Sequence, residues 1–268
     1  MKSNMKIMPY EKISEGVYLI NEFNGVNCYL VTGNEKALLI DCGTGAGDFK
    51  ATVKEITDLP LTVAATHGHV DHIGGTGQFP FVYVYKDDCK RLNKIQTSLI
   101  LRKLFVAGNG EMKKQGITAK NIKKGEYKPE LVPFDESFVF DLGGKTLTVK
   151  HTPGHTVGSV AFIDEKDNII FSGDNVCDAL WMFLPGATSI EEWLPGARWL
   201  FEMSKSFKVY WGHRVPKLET DYIAQVISWG EEIIKNHTKN SLFSKTVQYP
   251  KQTDGIIYRT NKIFKKVK

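Results

Sequence analysis

The chain has 268 residues, of which 42% are hydrophobic and 24% are charged, a balance typical of a globular protein with a large core. The first ten residues contain no continuous apolar segment, so we expect neither a signal peptide nor a membrane span, and we expect a cytoplasmic location. The four cysteines are far apart in the sequence, which argues against a disulfide framework and against a zinc knuckle.

The net charge of +5 conceals two basic segments. Residues 86–128 contain twelve Lys and Arg against four Asp and Glu, and residues 239–268 contain eight against one. These segments carry +8 and +7, so the remaining residues carry −10. A basic segment can contact nucleic acid, an acidic surface or an anionic substrate, or it can be a solvated helix face or tail. For the C-terminal segment we favour a solvated tail.

The first half of the chain alternates short strands with helices. Three β-branched or aromatic runs, separated by Asn and Gly turns, predict a strand meander over residues 16–21, 27–32 and 37–41. The next predicted elements are a helix, a strand, a short helix and a strand, over residues 48–58, 61–65, 74–78 and 81–85.

Residues 86–128 interrupt this order. Residues 88–106 have helical periodicity, and a Gly- and Lys-rich stretch without a strong period follows them. The segment contains too few apolar residues for a core of its own, so we interpret it as an insertion.

The second half repeats the order of strands, helix and strand. Two hairpins are predicted, with strands over residues 138–141 and 146–150, and over residues 159–163 and 168–171. The later elements are a helix, a strand, a long helix and a closing strand, over residues 189–204, 208–211, 219–235 and 255–264. Two such halves suggest one domain of two packed sheets flanked by helices.

The most informative stretch is His-Gly-His-Val-Asp-His over residues 67–72, directly after a predicted strand. Side chains two residues apart on extended backbone share a face, so His67 and His69 point to the same side. Asp71 and His72 then fall in a turn that leads into a helix. Imidazole and carboxylate groups are ligands of Zn²⁺, and a catalytic zinc keeps one coordination position for water. The stretch therefore predicts a metal site if the chain supplies further ligands.

Three further candidates follow apolar runs at the ends of predicted strands, each beside a glycine: His155, Asp174 and His213. Functional groups released at one edge of a sheet assembly can converge, as they do in other α/β folds. Seven imidazole and carboxylate groups are more than one zinc ion binds. Two ions can use them all.

The motif series resembles that of the metallo-β-lactamase-fold superfamily. The motifs are His67-x-His69-x-Asp71-His72, Thr152-Pro153-Gly154-His155-Thr156, Ser172-Gly173-Asp174 and Gly212-His213. The resemblance runs from about residue 17 to the end, and it is specific for fold and metal site but not for substrate. It implies an α/β (α+β) fold, a four-layer αββα sandwich. It also implies a single domain over residues 1–268, with the basic, partly helical insertion at about 86–130 near the active-site edge.

The same resemblance implies a dinuclear site with seven ligands. These are His67, His69 and His155 for the first ion, Asp71, His72 and His213 for the second, and Asp174 as the bridge. Asp41 matches a position that usually supports a ligand, since a metal-bound imidazole needs a partner for its other nitrogen. We expect two divalent ions and favour Zn, although Fe, Mn and Co suit the same ligands.

This site implies a hydrolase in which hydroxide bound to the two metals attacks a small ester, thioester or lactone. Asp71 is the candidate catalytic residue for handling the proton, and no Ser or Cys nucleophile is required. Among members of the superfamily, the chain is similar to hydroxyacylglutathione hydrolases and lactonases.

Other activities of the superfamily are alternatives. A phosphodiesterase or nuclease would use the same metals, but the basic residues lack interleaved stacking aromatics, so we expect no nucleic-acid partner. A persulfide dioxygenase would use much of the same motif set with a single iron. A true β-lactamase is disfavoured, because those enzymes typically lack the bridging aspartate and are exported.

Two segments are candidates for contact with a small-molecule substrate. The apolar residues 181–184 follow Asp174 closely and could form a pocket wall or pack under a loop. The basic insertion leaves the strand after the motif helix, so we expect it to overhang the same edge and to favour an anionic or amphiphilic substrate. We expect no membrane partner, and the sequence predicts no particular oligomeric state.

Overall fold

Two mixed β-sheets packed face to face form the centre of the protein, and helices cover both outer faces. A computed structural model describes residues 6–89, 97–251 and 254–266. The architecture is the four-layer αββα sandwich that the motif series implied.

The strands and helices are numbered in chain order. The strands are β1 (Tyr10–Ser14), β2 (Val17–Asn21), β3 (Asn27–Thr32), β4 (Ala37–Ile40), β5 (Leu61–Ala64), β6 (Phe81–Tyr85), β7 (Glu130–Phe134), β8 (Phe140–Asp141), β9 (Thr146–His151), β10 (Val160–Asp164), β11 (Ile169–Phe171), β12 (Ala179–Met182), β13 (Lys208–Tyr210), β14 (Lys217–Leu218), β15 (Thr246–Tyr249) and β16 (Gly255–Arg259). The helices are α1 (Phe49–Ile56), α2 (Val70–Ile73), α3 (Lys86–Cys89), α4 (Leu99–Gly108), α5 (Gly110–Lys114), α6 (Ile190–Ser204) and α7 (Thr220–Lys235), and a 3₁₀ turn spans Gly74–Gln78.

The first sheet has the strand order β1-β2-β3-β4-β5-β6-β7. Strands β1 to β4 form an antiparallel meander, and β4 to β7 pair in parallel. A parallel pair needs a crossover connection, usually helical. The crossover from β4 to β5 contains α1, and the one from β5 to β6 contains α2. The basic insertion is the crossover from β6 to β7 and contains α3, α4 and α5.

The second sheet has the order β14-β13-β11-β10-β9-β8. The predicted hairpins are two of its antiparallel pairs, β8 with β9 and β10 with β11. Strands β9 and β10, and β13 and β14, also pair in antiparallel. Strands β11 and β13 pair in parallel, with α6 in the crossover between them. Strand ends from both sheets therefore release loops at a common edge of the sandwich.

A third sheet, with the order β12-β16-β15, was not predicted. Strand β12 spans Ala179–Met182, where the sequence indicated no strand, and it pairs in parallel with β16. Its four residues alternate in burial, but all four are apolar, so the sequence shows no alternation of apolar and polar residues that would distinguish a strand from a loop. The predicted closing strand over residues 255–264 is also shorter, because β16 ends at Arg259.

Three apolar clusters, one at each interface between layers, hold the sandwich together. Leu19 and Phe162 lie in the cluster between the two sheets. Phe49 of α1 packs on the outer face of the first sheet, and Trp193 of α6 and Ile223 of α7 pack on the outer face of the second. Full burial of one such side chain contributes about 1.5–3 kcal/mol, so these interfaces fix how the layers stack.

The insertion shares the core of the domain. The helix predicted over residues 88–106 appears as α3 and α4, and residues 90–96 between them lie outside the described residues. Val106 and Met112 are buried in the cluster on the outer face of the first sheet. Helix α5 also corrects the expectation of an aperiodic Gly- and Lys-rich stretch. No helix within the described ranges is long and apolar enough to cross a membrane.

Candidate metal centre

All seven residues singled out as ligands in the sequence come together at one edge of the sandwich. They lie in the loop after β5, in the first turn of α2, in the connection from β9 to β10, and directly after β11 and β13. Their ligand atoms form two groups, and within each group all atoms lie within 4.8 Å of one another. The groups are His67, His69 and His155, and Asp71, His72, Asp174 and His213.

The first group consists of three buried histidines, His67, His69 and His155. His69 Nδ1 lies 2.8 Å from His155 Nε2. Burial lowers the pKa of all three imidazoles, and it lowers the pKa of His155 to about 3. The rings are therefore neutral at neutral pH, which is the form that binds a cation.

The second group combines two carboxylates with two histidines. Asp174 Oδ2 lies 3.3 Å from His72 Nε2, and Asp71 Oδ2 lies 3.4 Å from His213 Nε2. Burial opposes a charge on His72, but Asp174 and Asp41 outweigh it and raise the pKa of that ring. In the same way Asp174 overcomes the effect of burial and raises the pKa of His213 to about 9. The carboxylates thus create a place that attracts positive charge.

Asp174 belongs to the second group and is also close to the first. Its Oδ2 atom is 3.9 Å from His155 Nε2 of the first group and 3.0 Å from His213 Nε2 of the second. Burial acts to raise the pKa of this carboxyl, but His213 and His72 outweigh burial and hold that pKa well below its usual range. An ionised carboxylate at this position can face two cations.

Buried atoms without a partner support the fit of metal ions to this centre. Among the described residues, His67 Nε2, His72 Nε2 and Asp174 Oδ1 are buried and have no hydrogen-bond partner. An unpaired buried polar group costs about 1–3 kcal/mol, and folded proteins contain few of them. Cations bound among these atoms would satisfy them, and imidazole and carboxylate are suitable ligands for Zn²⁺ and similar ions.

Backbone carbonyl oxygens orient two of the histidines through the ring nitrogen that faces away from the centre. His155 Nδ1 donates to the carbonyl oxygen of Trp181 at 3.0 Å, and His213 Nδ1 donates to that of Gly25 at 2.7 Å. A carbonyl oxygen can only accept, so each Nδ1 carries a proton. In His155, whose ring is neutral, the lone pair of Nε2 then faces the centre. His213 would present its Nε2 lone pair in the same way after this nitrogen loses its proton to make room for a cation.

Asp41 supports two further histidines, as its motif predicted. It follows β4 with a φ of 64°, which is uncommon for a residue other than glycine. Its Oδ2 atom accepts a hydrogen bond from His72 Nδ1 at 2.8 Å and one from the Thr66 hydroxyl at 2.8 Å. The Thr66 hydroxyl also lies 3.1 Å from His67 Nδ1. Asp41 therefore orients His72 directly and His67 through Thr66.

Asp88 in α3 joins the two ligand loops, and no motif in the sequence indicated this role. One carboxylate oxygen accepts from the amide of Gly68 at 2.9 Å and from the hydroxyl of Thr156 at 2.7 Å. The other accepts from the amide of Gly158 at 2.9 Å. Gly68 belongs to the first histidine loop, and Thr156 and Gly158 belong to the loop of His155. This buried carboxylate therefore sets the distance between the two loops.

A cavity of about 490 Å³ adjoins the centre. Its polar lining includes five of the seven residues: His69, Asp71, His155, Asp174 and His213. Its apolar lining comes from α4, through Leu101 and Phe105, and from the β12 region, through Trp181, Leu184 and Pro185. Both segments that the sequence analysis proposed for substrate contact thus line this cavity.

The family model described as the metallo-beta-lactamase superfamily matches residues 21–213, a range that includes all seven residues of the centre. The chain belongs to the metallo-beta-lactamase superfamily. The match confirms the resemblance found in the sequence motifs. A divalent metal ion is implied by this fold, and the two groups described above are the candidate sites for it.

Relatives in the superfamily identify the chain as a hydrolase. It is 29% identical over 206 residues to the acyl-coenzyme A thioesterase MBLAC2 of Bos taurus, an alignment that covers 70% of each chain. Among solved structures it is similar to the metallo-beta-lactamase family protein TTHA1429 from Thermus thermophilus, with a TM-score of 0.61, 19% identity and coverage of 84% and 82%. It is also similar to TTHA1623 in a di-iron-bound form, with a TM-score of 0.52, 25% identity and coverage of 75% and 92%.

Proposed function

We propose that the protein hydrolyses thioesters with the help of two divalent metal ions. The observation that carries this proposal is the pair of adjoining ligand groups beside a cavity. The relative MBLAC2 of Bos taurus is named an acyl-coenzyme A thioesterase, which supports a thioester as the substrate.

The ligand sets follow from the two groups. His67, His69 and His155 would hold one ion, Asp71, His72 and His213 would hold the other, and Asp174 would contact both. The position of Asp174 Oδ2, within 3.9 Å of one group and 3.0 Å of the other, supports the bridging role. We propose Zn²⁺ at both sites. Iron is the alternative, since TTHA1623 has been solved in a di-iron-bound form.

Bound divalent ions would supply a nucleophile from water at neutral pH and would polarise the thioester carbonyl. Asp71 lines the cavity, and we propose that a carboxylate oxygen of Asp71 receives the proton that the water loses. Cys177 also lines the cavity, but burial raises its pKa well above the usual range. Because a neutral thiol is a poor nucleophile, this cysteine supports attack by water and not a covalent mechanism.

We further propose that the insertion serves this activity as part of a single domain. It forms the crossover from β6 to β7, and it contributes Leu101 and Phe105 to the cavity. Its role would be to cover the metal centre and shape the substrate site.

Two alternative activities have less support from the site. A dioxygenase with a single iron would leave the second group of ligands without a role. A phosphodiesterase would place an anionic diester against the apolar residues Leu101, Phe105 and Trp181, which fit an apolar group better.

The test uses the purified protein loaded with Zn²⁺ and a panel of substrates. The panel contains butyryl-CoA, a lactone, a β-lactam and bis-p-nitrophenyl phosphate. We expect the thioester to have the highest kcat/KM. Turnover of the phosphodiester alone, or of none of the compounds, would refute the proposal.

A further inference from the structure

The cavity beside the polar metal centre has two apolar walls. Leu101 and Phe105 form the α4 wall, and Trp181, Leu184 and Pro185 form the β12 wall. The volume of about 490 Å³ is within the range of roughly 300–1,000 Å³ found for small-molecule sites. A substrate with its carbonyl at the metal centre therefore has another part against apolar walls.

Helix α4 has one buried face, one face toward the cavity and one face toward solvent. The α4 wall is the face toward the cavity. Arg102 and Val106 are buried, Leu101 and Phe105 line the cavity, and Leu104 is 64% exposed. Residues four apart lie on the same face of a helix. Arg102 and Val106 therefore form one face, and Leu101 and Phe105 form another. The apolar face toward the cavity is thus distinct from the face toward solvent.

Arg102 fixes the α4 wall in place. Its guanidinium donates to the carbonyl oxygen of Thr44 at 2.7 Å, to that of Lys123 at 3.1 Å and to that of Gly45 at 3.2 Å. Hydrogen bonds from a charged donor are strong and directional. The wall therefore exists before a ligand binds, and binding does not have to order the helix.

The β12 wall is connected to the metal centre by a hydrogen bond. The carbonyl oxygen of Trp181 accepts from His155 Nδ1 at 3.0 Å, while the Trp181 side chain lines the cavity and is 42% exposed. An apolar surface left open beside the metal centre gains stability when a ligand covers it. The wall thus begins where the reacting carbonyl would lie.

We propose that the α4 and β12 walls bind the acyl group of the substrate and that this group is an aliphatic chain of several carbons. The inference rests on the proposed thioesterase function. The walls carry no charge that would pair with an anionic carrier such as coenzyme A. The carrier fits better beside Arg214, which also lines the cavity and has a side chain 65% exposed. Arg214 pairs with Asp178, so a phosphate of the carrier would share or replace this ion pair.

The kinetic test compares butyryl-, octanoyl-, dodecanoyl- and palmitoyl-CoA with the metal-loaded enzyme. Each methylene that the walls bury should raise kcat/KM about fourfold until the cavity is full. Leu101→Ala should lower kcat/KM for dodecanoyl-CoA by about tenfold and should lower it less for the shorter butyryl-CoA. The matched control is Leu104→Ala, which removes the same side chain from the solvent face of the same helix and should change neither value.

A binding test separates this inference from the proposed reaction. Dodecanoate should change the tryptophan fluorescence of the wild type and of Leu104→Ala. Trp181→Phe should reduce that change, and Trp211, which also lines the cavity, would supply the remainder. If no thioester is hydrolysed but dodecanoate binds in this pattern, the acyl site stands and the proposed reaction fails. If thioesters are hydrolysed at rates independent of chain length and dodecanoate does not bind, the acyl site is refuted and the reaction stands.

Discussion

The carboxylate of Asp41 accepts a hydrogen bond from His72 Nδ1 at 2.8 Å. The same Oδ2 atom accepts from the hydroxyl of Thr66, which lies 3.1 Å from His67 Nδ1. One residue outside the ligand set thus orients a histidine of each group. Partners of this kind fix the tautomer and the direction of metal-binding imidazoles.

Asp41→Asn should weaken metal binding. An amide is a weaker acceptor than a carboxylate, so the His72 ring is less firmly held, and metal affinity should fall by about 10- to 100-fold. Titration with Zn²⁺ in the presence of a competing chelator measures this change. Asp58→Asn, at a carboxylate with 79% exposure, is the control and should bind metal as the wild type does. Wild-type affinity in Asp41→Asn would contradict the supporting role.

Asp174→Ala should lose one metal ion and most turnover, because its carboxylate is the group placed near both ligand groups. Elemental analysis after gel filtration gives the metal content per chain. Asp58→Ala is the control, since Asp58 is 79% exposed, lies outside the cavity and belongs to neither group. Retention of both ions and full activity in Asp174→Ala would exclude a bridging role.

Asp88→Ala should reduce both stability and metal affinity. The change leaves the buried amides of Gly68 and Gly158 without their acceptor, and the free energy of unfolding should fall by about 3 kcal/mol. Urea denaturation of the metal-free proteins measures this loss apart from any effect of metal.

The neighbouring variant Asp87→Ala provides the control for Asp88, since Asp87 lies on the same short helix and is only half-buried. If Asp88 holds the two ligand loops at their spacing, excess Zn²⁺ should partly restore the activity of Asp88→Ala. An unfolding free energy and a metal affinity equal to those of the wild type would show that this carboxylate does not join the loops.

Salt should raise KM for an anionic thioester. Arg214 is exposed beside the cavity, and the insertion has a net positive charge although its residues Leu101 and Phe105 in the wall are uncharged, so both would attract the phosphates of coenzyme A. Screening is strong beyond about 10 Å at 0.1 M salt, so KM for butyryl-CoA should increase with ionic strength. The uncharged N-acetylcysteamine thioester is the control and should show no such increase. Equal salt responses of the two substrates would show that charge near the cavity does not contribute to binding of the thioester.

The sequence predicted the fold and the set of residues at the centre because both depend on local patterns. His67, Asp174 and His213 each follow a strand-like run, and strands that end at one edge bring such residues together. Asp88 could not be found in this way, since its role depends on how the crossover from β6 to β7 folds back over the His155 loop. The sequence did predict that the insertion overhangs this edge, but which face of α4 lies toward the cavity depends on the same crossover. Zinc as the metal and a cytoplasmic location stay predictions.

The most direct test of the central claim is a metal titration of the chelator-treated enzyme, with thioester hydrolysis followed at each addition. We expect activity to rise until two Zn²⁺ ions are bound per chain and then to stay constant. Full activity with one bound ion, or with none, would contradict the claim.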